Sequence, residues 1–192
     1  MTSPFCGTEP VTNASWIQTF TGRTIDPLDP HPADVCIEDI AHALAMKTRF
    51  TGHGREFYSI AQHSMFVSSW AAAPGTDNAL WGLLHDAAEA YLADVASPVK
   101  HHPSFQFFRA AEYRMMQAII ARFGLSPEQP VAVSQADRVA LAVEARELMG
   151  PLKPGWGGPD LASYDIPELH IVPLTWRQAE HYFLERFRAL AP

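Results

Sequence analysis

The sequence has few cysteines, few basic residues and no long apolar run, and each shortage excludes a class of protein. Two cysteines among 192 residues cannot build a disulfide framework, so a reducing compartment is expected. The chain carries 14 Lys and Arg against 21 Asp and Glu, and its formal net charge of −7 argues against a broad basic surface. No apolar run approaches the ~20 residues of a membrane span, and the first ten residues carry no secretory signal. We therefore expect a cytoplasmic protein that binds neither nucleic acid nor membranes.

The remaining composition indicates one helical domain. Hydrophobic residues make up 47% and charged residues 18% of the chain, which suits a single globular domain over residues 1–192. Residues 16–25 are β-branched and aromatic around a glycine, which predicts a short hairpin. We expect an all-α fold, an irregular bundle of about six helices with a minor N-terminal β-hairpin. The predicted helices cover residues 37–46, 59–70, 80–94, 104–123, 135–150 and 175–190.

Local signals mark the ends of several predicted helices. Ser59 with Gln62, and Thr175 with Gln178, have the spacing of a capping box, in which two side chains satisfy free amides of the first turn. Gly124 is expected to end the fourth helix, because glycine readily adopts the left-handed conformation of a C-cap. An apolar stripe on that helix would fit either the core or the face of a homo-oligomer. The stripe comprises Met115, Met116, Ile119 and Ile120.

The segment over residues 81–94 carries polar residues inside an apolar helical pattern. His85 and Glu89 are four residues apart and Asp86 and Glu89 are three apart, so a regular helix places them on neighbouring turns. A buried carboxylate without a partner costs several kcal/mol, and a divalent cation would satisfy two polar groups at once. We therefore expect a core helix with a metal-binding face. The alternative is that His85 and Asp86 form a capping or core hydrogen-bond pair.

Four residues on three predicted helices form the candidate ligand set. They are His63, His85, Asp86 and Asp137. Two imidazoles and two carboxylates without a thiolate suit one divalent transition metal, namely Mn, Co, Fe, Ni or Zn, and suit Mg less readily. The ligand types do not distinguish among these metals.

The four residues, in the order H…HD…D on successive helices, resemble the pattern of the HD-domain metal-dependent phosphohydrolases. The resemblance extends to the flanking segments 61–64 (AQHS), 85–94 (HDAAEAYLAD) and 98–100 (PVK). These segments look like the bacterial 5′-deoxyribonucleotidase branch, whose relatives include phage-type deoxyadenosine triphosphate triphosphohydrolases. The similarity covers about residues 37–147. It implies that the fold is an HD-type helical bundle.

The resemblance also implies a role for each matching residue. The four pattern residues hold the metal, Glu89 is the catalytic acid, and Asp94 matches a downstream aspartate of the family. Glu89 could instead be an ordinary exposed acid, and Asp94 could cap the following turn. A basic-aromatic pair before the first histidine matches Arg49 and Phe50. The family's nucleotidases often have Trp at the aromatic position. The presence of Phe50 in its place bears on the base or sugar preference.

Other residues near the motif could contact the substrate. The candidates for offsetting phosphate charge are Arg49, His53, Arg55 and Lys100. A lone cation is, however, usually a solvated surface group. Phe50 and the pair Trp16-Ile17 could line a nucleobase pocket by stacking, although most aromatic residues of such a chain pack in the core.

The expected activity is hydrolysis of deoxyribonucleoside 5′-monophosphates to deoxynucleoside and phosphate, with a small-molecule nucleotide as the partner. The nearest alternative is a dNTP triphosphohydrolase, which uses the same site with more basic groups around the phosphates. A di-iron oxygenase would need further ligands, for which only His101 and His102 lie between the doublet and Asp137. The third alternative is a non-catalytic nucleotide-sensing module with a structural metal.

Overall fold

The computed structural model describes residues 15–72, 77–157 and 168–191. These residues form the expected all-α fold with a small antiparallel sheet. The two strands and seven helices of the described ranges are β1 Ile17–Gln18, β2 Thr24–Ile25, α1 Ile37–Met46, α2 Ile60–Ala71, α3 Asn78–Leu84, α4 Ser97–Lys100, α5 Gln106–Phe123, α6 Val131–Leu148 and α7 Trp176–Leu190. Short 3-10 turns lie at Pro32–Asp34, Arg49–Gly52, Ala87–Ala90 and Pro103–Phe105.

The predicted hairpin is confirmed, and it is attached to the first helix. Ile17 pairs with Ile25 and Gln18 with Thr24. The turn between the strands contains Gly22 at φ 83°, a left-handed conformation that glycine adopts without strain. The Asp39 carboxylate of α1 accepts hydrogen bonds from the amide and hydroxyl of Thr21, at 2.7 and 3.0 Å. The hairpin is thereby held on α1, in spite of its small size.

Helix α2 lies at the centre of the bundle. It packs against α1, α3, α6 and α7. The contact with α3 is especially close at Gly82, where an added Cβ would lie 2.9 Å from the Ser68 Cα. Each large apolar side chain in this core contributes about 1.5–3 kcal/mol by burial. The largest that are fully buried are Phe183, Ile25, Ile40, Leu44, Ile60, Leu83, Leu84, Met115 and Ile119.

The apolar stripe on α5 belongs to this core. Met115 and Ile119 are fully buried, Ile120 is nearly so, and Met116 packs half-buried against the same cluster. The stripe is therefore no exposed face for a homo-oligomer. None of the helices in the described ranges combines the length and apolarity that a membrane crossing requires.

The helix ends agree with the sequence signals in part. Thr175 and Gln178 form a complete capping box at α7, and Gly124 ends α5 at φ 67°. At α2, the Ser59 hydroxyl accepts from the Gln62 amide nitrogen as expected. The Gln62 side chain instead bonds the backbone of Val172 and Leu174, so it fastens a distant segment rather than completing the box.

Several predicted bounds are wrong, and one of them matters for the site. The helix predicted to continue to residue 94 ends at Leu84, and a 3-10 turn follows over Ala87–Ala90. The single-turn α4, which begins at Ser97 and has Pro98 in its first turn, is the additional helix. Helix α6 begins at Val131, four residues before the predicted start. The predicted loop over 151–167 and the Pro74-Gly75 break lie partly or wholly outside the described residues.

Candidate metal site

His63 projects from the central helix α2 into the bundle and is fully buried. Its Nδ1 lies 2.7 Å from the Glu144 Oε1 atom on α6. Because that carboxylate accepts a hydrogen bond from Nδ1–H, the other ring nitrogen, Nε2, can offer its lone pair to a metal. The position of this imidazole, with Nδ1 facing Glu144 and Nε2 facing the other candidate ligands, is therefore determined by packing between α2 and α6.

His85 and Asp86 lie where the chain leaves α3. On a regular helix, the side chains of consecutive residues point ~100° apart and therefore diverge. Asp86 leaves the helical conformation at φ −101° and ψ 12°, and its Oδ2 lies 3.3 Å from the His85 Nε2. The His85 Nδ1–H donates to the Gly82 carbonyl at 2.8 Å, while its Nε2 lies 3.3 Å from the Nε2 of His63. The break in the helix thus turns both side chains of the doublet towards His63.

Asp137 approaches the same point from α6. Its Oδ1 lies 3.3 Å from the His63 Nε2 and 4.0 Å from the His85 Nε2. Burial alone would raise the pKa of this carboxyl, but the hydrogen bond from His63 and the nearby positive groups hold it well below its usual range. Asp137 is therefore an anionic donor at the more exposed side of the site.

The donor set fits a divalent metal ion. Donor atoms of His63, His85 and Asp86 all lie within 4.8 Å of one another, and Asp137 lies beside both imidazoles. At a metal–donor distance of about 2.1 Å, neighbouring donors are roughly 3–3.4 Å apart, close to the separations of 3.3–4.0 Å found here. Both imidazoles have Nδ1 engaged outside the donor cluster, and both direct Nε2 towards the other donors. These residues could hold a metal ion, and their nitrogen and oxygen donors suit a transition metal.

Glu144 is a site residue that the sequence analysis missed. It is fully buried, and it binds both His63 and the guanidinium of Arg49, whose Nη2 lies 3.3 Å from Oε2. Arg49 also lies 3.9 Å from the Asp86 carboxylate. Burial lowers the pKa of the guanidinium, but Glu144 and Asp86 outweigh this and raise it. The available signal was the seven-residue spacing from Asp137, which places Glu144 on the same face of α6 two turns later.

Glu89 lies in the 3-10 turn after the doublet and is 5% exposed. Its Oε1 lies 3.6 Å from the Lys100 ammonium, whereas Oε2 has no hydrogen-bond partner among the described residues. Burial first, and then the carboxylates of Asp86 and Asp94, raise the pKa of Glu89 to about 9. Glu89 is therefore a buried acid beside the ligands rather than an ordinary exposed one.

Two lysines surround this acid. Lys100 bonds Glu112 at 2.7 Å as well as approaching Glu89. Lys47, which the sequence analysis did not identify, donates a hydrogen bond to the Glu89 backbone carbonyl. Burial lowers the pKa of the Lys47 ammonium, while the charges of Glu89 and the half-buried Asp94 act in the opposite direction. Asp94 thus contributes to the electrostatics around Glu89.

The segment predicted to contact substrate is a strained turn next to Arg49. Phe50 and Thr51 have φ values of 56° and 53°, a left-handed conformation that is costly for a β-branched residue. The Phe50 ring lies 5.5 Å from the Arg49 guanidinium and 6.2 Å from the Trp156 ring. His53 and Arg55 follow with exposed side chains. The turn therefore places Phe50 beside Arg49 and leaves the next two candidates in solvent.

The remaining candidates are not brought to the ligands. His101 bonds Ser97, and the His102 ring accepts a hydrogen bond from the Ser104 amide, so both serve local turns. Trp16 and Ile17 are 51% and 40% exposed on the hairpin. A surface cavity beside Ile17 is lined by none of the four ligand candidates.

Comparison with known proteins identifies relatives over most of the chain. It is 33% identical over 178 residues to the uncharacterized protein YfdR of Escherichia coli (strain K12), a match that covers 92% of this chain and 96% of that protein. It is 38% identical over 146 residues to the uncharacterized protein RCAP_rcc00048 of Rhodobacter capsulatus, which covers 71% and 74% of the two chains. No protein-family model matches the chain. The chain therefore belongs to the same family as YfdR and RCAP_rcc00048.

Proposed function

We propose that this protein is an HD-type, metal-dependent phosphohydrolase that acts on nucleotides in the cytoplasm. The observation that carries the proposal is the convergence of two imidazole Nε2 atoms and two aspartates beside the buried acid Glu89. A purely structural metal has no use for a buried acid with an unpartnered oxygen next to its ligands. The H…HD…D pattern supports the same proposal. The proposed substrate is a deoxyribonucleoside 5′-monophosphate, and the products are deoxynucleoside and phosphate.

The residues of the site suit displacement at phosphorus. A divalent metal, when bound, supplies a Lewis acid that activates water and polarises a phosphoryl oxygen. In the proposed reaction, the oxygen of water bonds to phosphorus while the bond from phosphorus to the 5′-oxygen breaks. Glu89, buried beside the doublet, would give a proton to the leaving 5′-oxygen, and the proton lost by the attacking water would restore it. Arg49 lies beside Asp86, where its guanidinium can bind the phosphate of the substrate.

The limited positive charge around the site favours one phosphate over three. Arg49 is paired with Glu144, and Lys100 is paired with Glu112. The Lys47 ammonium is hydrogen-bonded to a backbone carbonyl. A triphosphate carries about four negative charges and would need several cations that these internal pairs already engage. We therefore prefer the nucleotidase reaction to the triphosphohydrolase reaction.

The proposal is tested by product analysis. Purified protein is incubated with Mn, Co, Fe, Ni, Zn or Mg and a panel of deoxyribonucleoside mono- and triphosphates, and the products are separated by anion-exchange chromatography. Nucleoside plus phosphate from monophosphates would support the nucleotidase reaction, whereas release of intact triphosphate would establish the triphosphohydrolase alternative. The loss-of-function control is Asp86→Ala. The matched control is Asp29→Ala, an exposed aspartate in the loop after the hairpin, which should retain full activity.

Two further results would replace the proposal. Oxygen consumption with two equivalents of bound iron would indicate an oxygenase. Tight nucleotide binding without turnover, together with unfolding when the metal is removed, would indicate a sensing module. If no metal gave a product and Asp86→Ala behaved like the wild type, the hydrolase function would be wrong.

A further inference from the structure

We propose that Glu144 is a positioning residue that prepares the site for its metal, by holding His63 with Nε2 towards the ligands and by fixing Arg49 beside them. The inference rests on the metal dependence of the proposed function, and it assigns a role to a residue outside the H…HD…D pattern.

The geometry shows one carboxylate serving two functional groups. Glu144 Oε1 lies 2.7 Å from the His63 Nδ1, and Oε2 lies 3.4 and 3.3 Å from the Nε and Nη2 atoms of Arg49. Tyr58, also buried, hydrogen-bonds the same carboxylate. Glu144 is fully buried, so no water competes for these oxygens. One oxygen therefore faces His63 and the other faces Arg49.

The charges around Glu144 explain why a carboxylate can stay buried there. An unpaired buried carboxylate would cost several kcal/mol, and here Arg49 supplies the compensating charge. With His63 neutral, as coordination requires, the three carboxylates of Asp86, Asp137 and Glu144 and the one guanidinium of Arg49 leave two negative charges. A divalent ion would neutralise this remainder. The Glu144–Arg49 pair thus adds an oriented acceptor behind His63 without adding net charge to the site.

Replacement of Glu144 by glutamine keeps the size and removes this arrangement. The glutamine side chain has one acceptor oxygen and one NH₂ donor. If the NH₂ group faces Arg49, two donors oppose each other. If it faces His63, Nδ1 must accept the hydrogen bond, which moves the proton to Nε2 and blocks the coordinating nitrogen. Either orientation weakens metal binding.

The experiment is calorimetric titration of the metal-free protein with Zn²⁺ at pH 7. Glu144→Gln is expected to weaken zinc affinity about 10- to 100-fold, as loss of a partner behind a metal-bound histidine commonly does. The matched control is Glu147→Gln, which removes a carboxylate three residues later on α6 that pairs with Arg146 and His170. The control should keep wild-type affinity. Equal affinity of Glu144→Gln and the wild type would overturn the inference.

A second measurement covers the case in which Glu144→Gln does not fold. In the zinc-loaded wild-type protein, nitrogen-15 spectra of the imidazoles should show His63 coordinated through Nε2, with a proton on Nδ1 that exchanges slowly with water. Coordination through Nδ1, or a rapidly exchanging Nδ1 proton, would overturn the inference. The same measurements distinguish failure of this inference from failure of the proposed function. Zinc binding that depends on Glu144, without hydrolysis of any nucleotide, would support the positioning role and exclude the hydrolase function.

Discussion

The two sides of the candidate site are fixed by different means. On the metal side, His63 and Glu144 are fully buried and come from helices that pack directly against each other. On the substrate side, residues 49–55 form a turn with two left-handed non-glycine residues and an exposed end. Long-range packing determines the metal side. The substrate side is determined by local backbone strain and by the contacts of Arg49 with Glu144 and of Phe50 with Trp156.

This difference indicates how each side tolerates change. Helix packing holds the donor atoms within a few tenths of an ångström, so a substitution there removes binding outright or destabilises the fold. A strained turn can relax, so substitutions there should shift stability slightly and alter substrate contacts by degree. The predictions below test the contrast, from the largest expected effect to the smallest.

Loss of a ligand should have the largest effect. His63→Ala and Asp86→Ala should both abolish stoichiometric zinc binding and lower hydrolysis by at least about 1,000-fold, because each removes a donor from the shared site. Only His63→Ala should also destabilise the metal-free protein, since it leaves the buried Glu144 without one partner. Calorimetry, metal analysis and thermal unfolding measure these effects. Equal unfolding temperatures for the two variants would contradict the distinction between a buried and a half-exposed ligand.

Removal of the buried acid should separate chemistry from metal binding. Glu89→Gln should lower kcat by about 100-fold or more while zinc affinity stays within a few-fold of wild type, because Glu89 is placed beside the donors and not among them. The comparison variant is Glu112→Gln, which removes the other carboxylate that binds Lys100. It should retain most of the activity. A Glu89→Gln enzyme with wild-type kcat would exclude the acid role.

Gly82 offers a test of the packing that positions the doublet. An added methyl group would meet the Ser68 backbone at 2.9 Å, so Gly82→Ala should cost about 1–3 kcal/mol and lower Tm by several degrees. Zinc affinity should also fall, because the Gly82 carbonyl orients His85. Gly150→Ala, where an added Cβ meets nothing within 4 Å, is the matched control and should leave Tm unchanged. An unchanged Tm for Gly82→Ala would mean that α2 and α3 separate easily.

The pH dependence of the metal-free protein should report on His63. Burial and Arg49 lower the pKa of this imidazole, but Glu144 and Asp137 outweigh them and raise it to about 9. The ordinary pKa of histidine is about 6.5, so protonated His63 stabilises the fold. This contribution to the free energy of unfolding is fully present below pH 6.5 and is lost as pH rises through 9. Thermal scans should show Tm falling by a few degrees across that window, and a saturating metal should remove the fall by replacing the proton. The raised pKa of Glu89 lowers stability in the same pH range, so the scans compare Glu89→Gln with the double variant Glu89→Gln/His63→Gln. Only the first should show the transition, and its persistence in the double variant would assign it to another group.

The smallest effect is expected on the substrate side. Thr51→Asn should raise stability by about 1 kcal/mol or less, because asparagine tolerates the left-handed conformation better than a β-branched residue. Thr51→Ala, which removes both substituents of the β-branched side chain, should lie between the two. Thermal unfolding measures the gain, and KM for the best nucleotide measures any change in the position of Arg49. If Thr51→Asn instead lowered the free energy of unfolding by several kcal/mol, the threonine would make an essential contact.

The helical fold could be predicted from the sequence because apolar periodicity is a local pattern. Of the four proposed ligands, His63, His85 and Asp86 lie together in the structure, and Asp137 lies beside the two imidazoles. The sequence did not predict the break after Leu84. The apolar spacing continues through the break, since Ala87, Ala88 and Tyr91 are buried although the helix ends before them. Glu144 was missed for a different reason. A glutamate on a helix is usually solvated, and only the approach of α2 and Arg49 makes this one internal.

Helix α7 has a consequence for how the protein is made. It packs against α1, α2 and α3, it places Phe183 in the core, and its Arg186 bonds the hydroxyl and carbonyl of Ser68. During synthesis on the ribosome, all four ligand candidates emerge before this helix does. A nascent chain that already contains every candidate ligand therefore still lacks the helix that covers the apolar side chains of α1, α2 and α3. We expect such a chain to depend on chaperones until α7 covers these side chains.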